Sequence, residues 1–198
     1  MGAEFVQDGE QLGAELLRLA REAIMGRLEV SVPARGVGAR LESLSRPGAT
    51  FVTLRQGEVL RGCVGSLEAR RPLNEDVREN ACAAAFFDPR FPSLELEELE
   101  TTSIEVSLLT PPQPLAFRDE DDLIRQIRPG VDGIILGRGF ARSTFLPQVW
   151  ESVPSPRRFL ALLRQKAGLP ENCPVTELAV SRYQVVKWAE VSPRRQAA

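Results

Sequence analysis

The segment Leu60-Arg61-Gly62-Cys63-Val64-Gly65 sets a thiol between two glycines, with a guanidinium two residues away, in a chain that has no histidine. The missing histidine removes Ser-His and Cys-His nucleophile pairs, His-bearing zinc sites and imidazole proton shuttles. Chemistry here must come from a thiol, carboxylates, arginines or backbone groups. In extended backbone alternate side chains share a face. Arg61, Cys63 and Gly65 are therefore expected on one face, with Leu60 and Val64 on the other, toward a core. A cation within reach of a thiol favours thiolate, and at about 4 Å in a partly screened site that attraction is of order 4 kcal/mol before desolvation. On this reading Cys63 is a nucleophile or covalent carrier, Arg61 activates it and binds an anion, and a backbone N–H near Gly62 or Gly65 steadies developing negative charge. A second reading stays open beside it: Cys63 is a small hydrophobe in a tight crossing, and its flanking glycines admit another backbone or a ligand.

Other residues can complete a site. Ser103 to Leu109 alternates, placing Glu105 and Ser107 on one face of the clearest strand in the chain. Glu105 is expected to orient Arg61 or move protons as a general base, against the alternative of an ordinary solvent-facing strand residue. Asp88 and Arg90 lie in a proline-bracketed turn, where they pair with each other or take an anion. The ligand-binding set expected around the thiol is Leu60, Gly62, Val64, Gly65, Arg90 and Ser107. Cys82 lies among alanines and reads as packing. Cys173 lies in a loop between Asn172 and Pro174 with no evident charged neighbour, and reads as incidental.

Several familiar signals fail. Gly137-Arg138-Gly139 lacks the third glycine of a dinucleotide loop and joins two strands. Gly36-Val37-Gly38 is not followed by the Lys and Ser/Thr of a phosphate loop. The acids Asp119 to Asp122 begin a helix, where they suit its dipole, and they lack the ligand pattern of a calcium loop. Cys63, Cys82 and Cys173 show no metal-knuckle spacing, so no metal is expected and the cofactor is unknown.

The elements that must position these residues are legible in part. Asp8 and Gln11 resemble a capping box opening a helix that runs to about Leu28. Val30 to Ala49, rich in Pro, Gly and Ser, is expected as a loop or short edge elements. Thr50 to Arg55 and Glu58 to Ser66 read as a hairpin turning at Gln56-Gly57. A helix is expected from Asn74 to Phe87, with Val77, Ala81, Ala84 and Ala85 on a narrow face. Further on come a short helix at Asp119 to Ile127, a hairpin of Ile134 to Leu136 with Phe140 to Phe145, and a helix capped by Ser155-Pro156 and stopped by Gly168. Thr144 to Trp150 reads as an apolar corner of a core. Tyr183 to Trp188 is expected as one last strand. Hairpins mixed with helices argue for α+β rather than a doubly wound parallel sheet.

Size and charge bound the rest. The 198 residues are 43% apolar and 26% charged, with a net charge of −2. Only Lys166 and Lys187 are lysines among 25 basic residues, and no basic run exceeds two, so nucleic acid and anionic membrane have no general attraction. No apolar run is long enough to span a bilayer, and Met1 to Asp8 lacks a leader's pattern. The expected setting is cytoplasmic, with reduced thiols.

The Leu60 to Gly65 hexapeptide resembles the signature of the AMMECR-type domain, the family of AmmeMemoRadiSam system protein A. Asp88-Pro89-Arg90-Phe91-Pro92, Glu105 to Leu109, Gly130 to Ile134 and Thr144 to Trp150 resemble that family too, in order. Val64 stands where the family often has Ile. The resemblance implies an α+β fold, a mostly antiparallel β-sheet with flanking helices and two unequal subdomains, in a single domain over 1–190 with possible subdomains 1–115 and 116–190; the residues at 191–198 read as a frayed tail. It also implies company: a Memo-type protein resembling extradiol dioxygenases, and a radical S-adenosylmethionine protein. It implies no particular reaction. An accessory binding domain and a cysteine-dependent enzyme both remain open.

Overall fold

The computed structural model describes residues 9–30, 41–170 and 173–191. The fold is α+β, and the chain divides into two units, one running to Leu108 and resuming at Lys187, the other spanning Leu109–Val186. Each has a four-stranded sheet and its own apolar core.

In the first unit, α1 (Gly9–Arg27) buries Leu12, Leu16, Leu19, Ala20 and Ile24, a stripe at helical spacing. Asp8, half of the expected capping box, lies outside the described residues, as do 31–40 of the expected loop. The short strand β1 (Pro47–Gly48) pairs with β4 (Arg71–Pro72). The hairpin β2 (Thr50–Gln56) and β3 (Val59–Gly65) turns at Gly57, whose φ of 60° lies in the left-handed region that favours glycine. Next comes α2 (Leu73–Phe86), with the expected small face buried, then β5 (Thr102–Leu109), antiparallel to β2. With β10 (Val185–Ala189) the sheet order is β10-β5-β2-β3, leaving β3 at an edge. Val52, Leu54, Ile104, Val106 and Leu108 face the helices and form the core with them.

The second unit contains β6 (Gln113–Pro114), α3 (Glu120–Gln126), β7 (Gly133–Arg138), β8 (Ala141–Phe145), α4 (Pro156–Lys166) and β9 (Ala179–Tyr183). Its sheet order is β6-β9-β7-β8. Asp119 caps α3 by accepting from the Asp122 N–H at 2.7 Å. Trp150 stacks on Phe159 with centroids 3.7 Å apart, and its Nε1–H donates to the Asp132 carbonyl at 2.7 Å. Of the Thr144 to Trp150 corner, Trp150 lies in the core with Phe145 and Val149 packed partly buried against it, while Gln148 is exposed.

One expected element is corrected. The last strand read at Tyr183 to Trp188 is two strands in different sheets, β9 and β10, broken at Gln184. Gln184 turns its backbone to Thr110, accepting from the Thr110 N–H at 2.9 Å and donating to its hydroxyl at 2.8 Å. Tyr183 ends β9 and Val185 begins β10, so apolar residues stand on both sides of Gln184 and composition alone does not mark the break.

Candidate functional site

Register assembles a polar row on the face of the first sheet turned away from its core. Cys63 stands opposite Thr53, and Thr53 opposite Glu105. The Thr53 hydroxyl donates to Cys63 Sγ at 3.4 Å, while Glu105 Oε1 lies 3.6 Å from Lys187 Nζ. Adjacent rows place Gly65, Phe51 and Ser107 together, and Arg55 with Ser103. Thr53, Ser103 and Ser107 are buried, whereas Cys63 and Glu105 are half-buried. The row has no apolar reason to exist, since the core of the sheet is on its other face.

Arg61 is not on that face. The register slips between Leu54 and Arg55, so that Leu54 faces Gly62 and Arg55 faces Leu60, leaving Arg61 as the extra residue of a β-bulge. The bulge breaks the alternation on which the Arg61–Cys63 pairing rested, and it moves Leu60 to a position opposite Arg55. Arg61 instead grips Glu98 with Nε and Nη2 at 2.8 and 2.9 Å, and donates to the carbonyls of Pro92 and Ser93 at 2.9 and 3.2 Å. Gln56, on the core-side parity of β2, binds the same carboxylate at 2.9 Å. Arg61 is buried, and its tie to Glu98 holds the Glu98 carboxyl down to about 2. The expected role of Glu105 in orienting Arg61 therefore belongs to Glu98.

Cys63 is fixed by the turn after α2. Its N–H donates to Asp88 Oδ2 at 2.9 Å, and its carbonyl accepts from Arg90 Nη2 at 3.1 Å. Arg90 also clasps Asp88 through Nε and Nη2 at 2.9 and 2.7 Å. A charged pair thus closes the free edge of β3 where another strand would otherwise add. Asp88 is buried, and Arg90 first, then the N–H groups of Cys63 and Arg90, hold its carboxyl well below the usual carboxylate range. Arg90 is raised above an ordinary guanidinium, chiefly by Asp88 and further by the Cys63 side chain. The cation that contacts the Cys63 backbone is Arg90.

The two glycines answer to packing within the fold. A Cβ on Gly62 would fall on the Ala84 carbonyl of α2, and one on Gly65 would fall on the Phe51 ring and 2.6 Å from the Thr50 carbonyl. Val64 pairs with Val52 and packs against the core. Cys82 is half-buried with Sγ 3.6 Å from the Ala23 carbonyl, and burial pushes its thiol up. Cys173 is buried, and Arg138 Nη1 donates to its sulfur at 3.6 Å, so it does have a charged neighbour.

One polar cluster escaped sequence reasoning. Buried Asp76 accepts from the Thr50 N–H and hydroxyl at 2.8 and 2.7 Å, from Asn80 at 2.9 Å, from Ser66 at 2.7 Å and from Arg71 at 3.1 Å. It stitches the start of β2 and the end of β3 to the first turns of α2. Its signal was present: Asp76, Asn80 and Ala84 are spaced by four on a helix whose buried face is otherwise small and apolar.

Among the described residues no helix is long and apolar enough to cross a membrane, and no three acidic or cysteine side chains are grouped to hold a metal ion. Fold and site together define an α+β protein with a thiol presented on a polar sheet face and clamped at a sheet edge. The chain belongs to the AMMECR1 family, whose model matches residues 17–188. It is 40% identical over 166 residues to a protein of Methanothermobacter thermautotrophicus, covering 81% of this chain and 84% of that one. A protein of Thermofilum pendens is 37% identical over 201 residues, covering 92% and 91%. The crystal structure of an uncharacterised protein, PH0010, from Pyrococcus horikoshii has a TM-score of 0.71 and 34% identity, over 92% of this chain and 93% of that one.

Proposed function

We propose that the chain is a cytoplasmic binding domain that takes a small molecule or a protein partner on the polar face around Leu60 to Gly65. The observation that carries this reading is the row Cys63, Thr53, Glu105, in which a thiol, a hydroxyl and a carboxylate stand in register on three strands. Ser107 and Gly65 flank the row on one side, and Arg90 borders it at the sheet edge. Hydrogen-bonding groups in that density suit a ligand with several polar atoms. Among protein partners, the family resemblance favours a Memo-type protein and a radical S-adenosylmethionine protein.

Occupancy should protect the thiol. Alkylation of Cys63 by iodoacetamide is followed by peptide mass spectrometry on the whole chain, alone, with each of those two proteins, and with the low-molecular-weight fraction of a cell extract. Slower labelling of Cys63 with unchanged labelling of Cys82 supports the reading. If none of the three additions protects Cys63, the polar face is not the binding site.

A second reading is favoured by the position of Arg90. In it Cys63 acts as a thiolate nucleophile, with a neighbouring cation and the Thr53 hydroxyl stabilising the charge. Cys63→Ser separates the two: it keeps partner or ligand binding on the first reading, and loses cellular function while still binding on the second.

A further inference from the structure

We infer that the Phe51 ring is a stacking platform for a planar, nitrogen-bearing heteroaromatic ligand, whose edge is read by the polar row beside it. This rests on the reading of the polar face as a binding site, and goes beyond it by naming the class of ligand. Phe51 stands in register between Gly65 and Ser107, on the face turned away from the core. It is half-buried and belongs to neither apolar core. The ring fills the space that a side chain on Gly65 would take, so it leans across the bare backbone of β3. Among the described residues no other ring and no cation stacks on it. An aromatic ring in that position fills no core, and its π-face suits the stacking of another ring.

The neighbouring row supplies the edge contacts. Strand residues two apart lie about 6.6 Å from each other, so Thr53, Cys63 and Glu105 stand within the length of a fused two-ring system from Phe51. The Thr53 hydroxyl uses its hydrogen on Cys63 Sγ at 3.4 Å, which leaves its lone pairs to accept. The Glu105 carboxylate only accepts, and Lys187 Nζ at 3.6 Å is beyond hydrogen-bond reach. Arg55, on the same face further along β2, donates to the Glu58 carbonyl. Acceptors side by side next to an aromatic ring favour ring N–H and amino donors. Nitrogen heterocycles carry those groups on their edge, and simple aromatic hydrocarbons lack them.

Cys63 lies in the row, so a bound ring should shield it from iodoacetamide. Labelling of Cys63 is timed on the whole chain with adenine, with hypoxanthine, and with caffeine, a planar heterocycle that has no N–H donor. The wild type, Phe51→Leu and Phe51→Tyr are compared, with Cys82 labelling as the measure of an intact fold. At least one of the two purine bases is expected to slow labelling at millimolar concentration, and caffeine to slow it far less. Phe51→Leu should weaken that protection roughly five- to ten-fold, the scale of one base stacked on an aromatic side chain, and Phe51→Tyr should keep it. The inference is overturned if neither base protects the wild type, if caffeine protects as well as they do, or if Phe51→Leu binds as tightly as the wild type. The wild-type arms decide even where a variant fails to fold. Protection by a partner protein or cell extract that is equal in the wild type and Phe51→Leu would leave the binding reading standing and sink this one.

Discussion

Asp88 takes the place of a missing strand for Cys63, accepting its backbone N–H at 2.9 Å on the free edge of β3. The same carboxylate orients Arg90, so one buried acid fixes both the Cys63 N–H and the guanidinium that holds the Cys63 carbonyl. Asp88→Asn keeps the shape but removes the charge, and an amide cannot accept from all of these donors. The expected loss is about 2 kcal/mol in urea unfolding, the range for hydrogen bonds to a buried charged group. A variant as stable as the wild type would show that the edge closes without the acid.

Acid should act on this region in a fixed direction. Glu98 is lowered from 4.5 to about 2, first by Arg61, and Asp88 lies below its ordinary value of 3.8, first because of Arg90. The unfolded chain therefore takes up protons on these groups at higher pH than the folded chain does. Their contribution to stability is full above about pH 4.5 and is lost as pH falls toward 2. Glu98→Gln should be less stable than the wild type at pH 7, with the gap narrowing by pH 3. Urea midpoints at the two pH values measure this, and a gap that stays constant would place the value of Glu98 in packing rather than charge.

The hairpin, α2 and β5 were legible because each rests on local signals, alternation and small-residue spacing; the hairpin's turn lies one residue further on than expected, since Gln56 ends β2 and the strands are joined by Gly57-Glu58. The thiol row was half legible. Alternation on one strand put Cys63 on the face away from the core, and alternation on another put Glu105 and Ser107 together, but only register could align them. The bulge at Arg61 was hidden, because an inserted residue leaves no mark in composition and shifts parity by one. The Asp88 clamp was visible only as a charged, rigid turn. Its target is a backbone N–H, and backbone groups look alike in any sequence.

Gly62 and Cys63 are adjacent but answer to different demands. Gly62→Ala should be strongly destabilising, on the order of 2–4 kcal/mol, because its Cβ would meet the Ala84 carbonyl of α2 and backbone does not yield as a side chain can. Cys63→Ser should leave thermal stability within about 1 kcal/mol, because the side chain is half-buried and keeps Thr53 as a hydrogen-bond partner. Calorimetry on the two variants reads the contrast. A tolerant Gly62 would mean that α2 can lift from β3, and the glycine would then need another explanation.

Gly13 offers a case where two effects oppose each other. It lies inside α1, where alanine is favoured over glycine by about 1 kcal/mol on helix propensity alone. Its Cα faces the Trp188 indole of β10 so closely that a Cβ would overlap the ring. Trp188 is partly buried against the core, and it sits between residues fixed by neighbours: Lys187 near Glu105, and Glu190 on Arg21 and the Ile104 N–H. The ring has little room to swing, so overlap should outweigh propensity and Gly13→Ala should be destabilised by about 1–3 kcal/mol, the usual cost of overpacking. The indole reports the outcome directly, as Trp188 is one of only two tryptophans. In a Trp150→Phe background, the Gly13→Ala change should alter Trp188 emission and lower the urea midpoint together. A raised midpoint with unchanged emission would mean that α1 shifts to accept the methyl, and that its packing against β10 is softer than the contact implies.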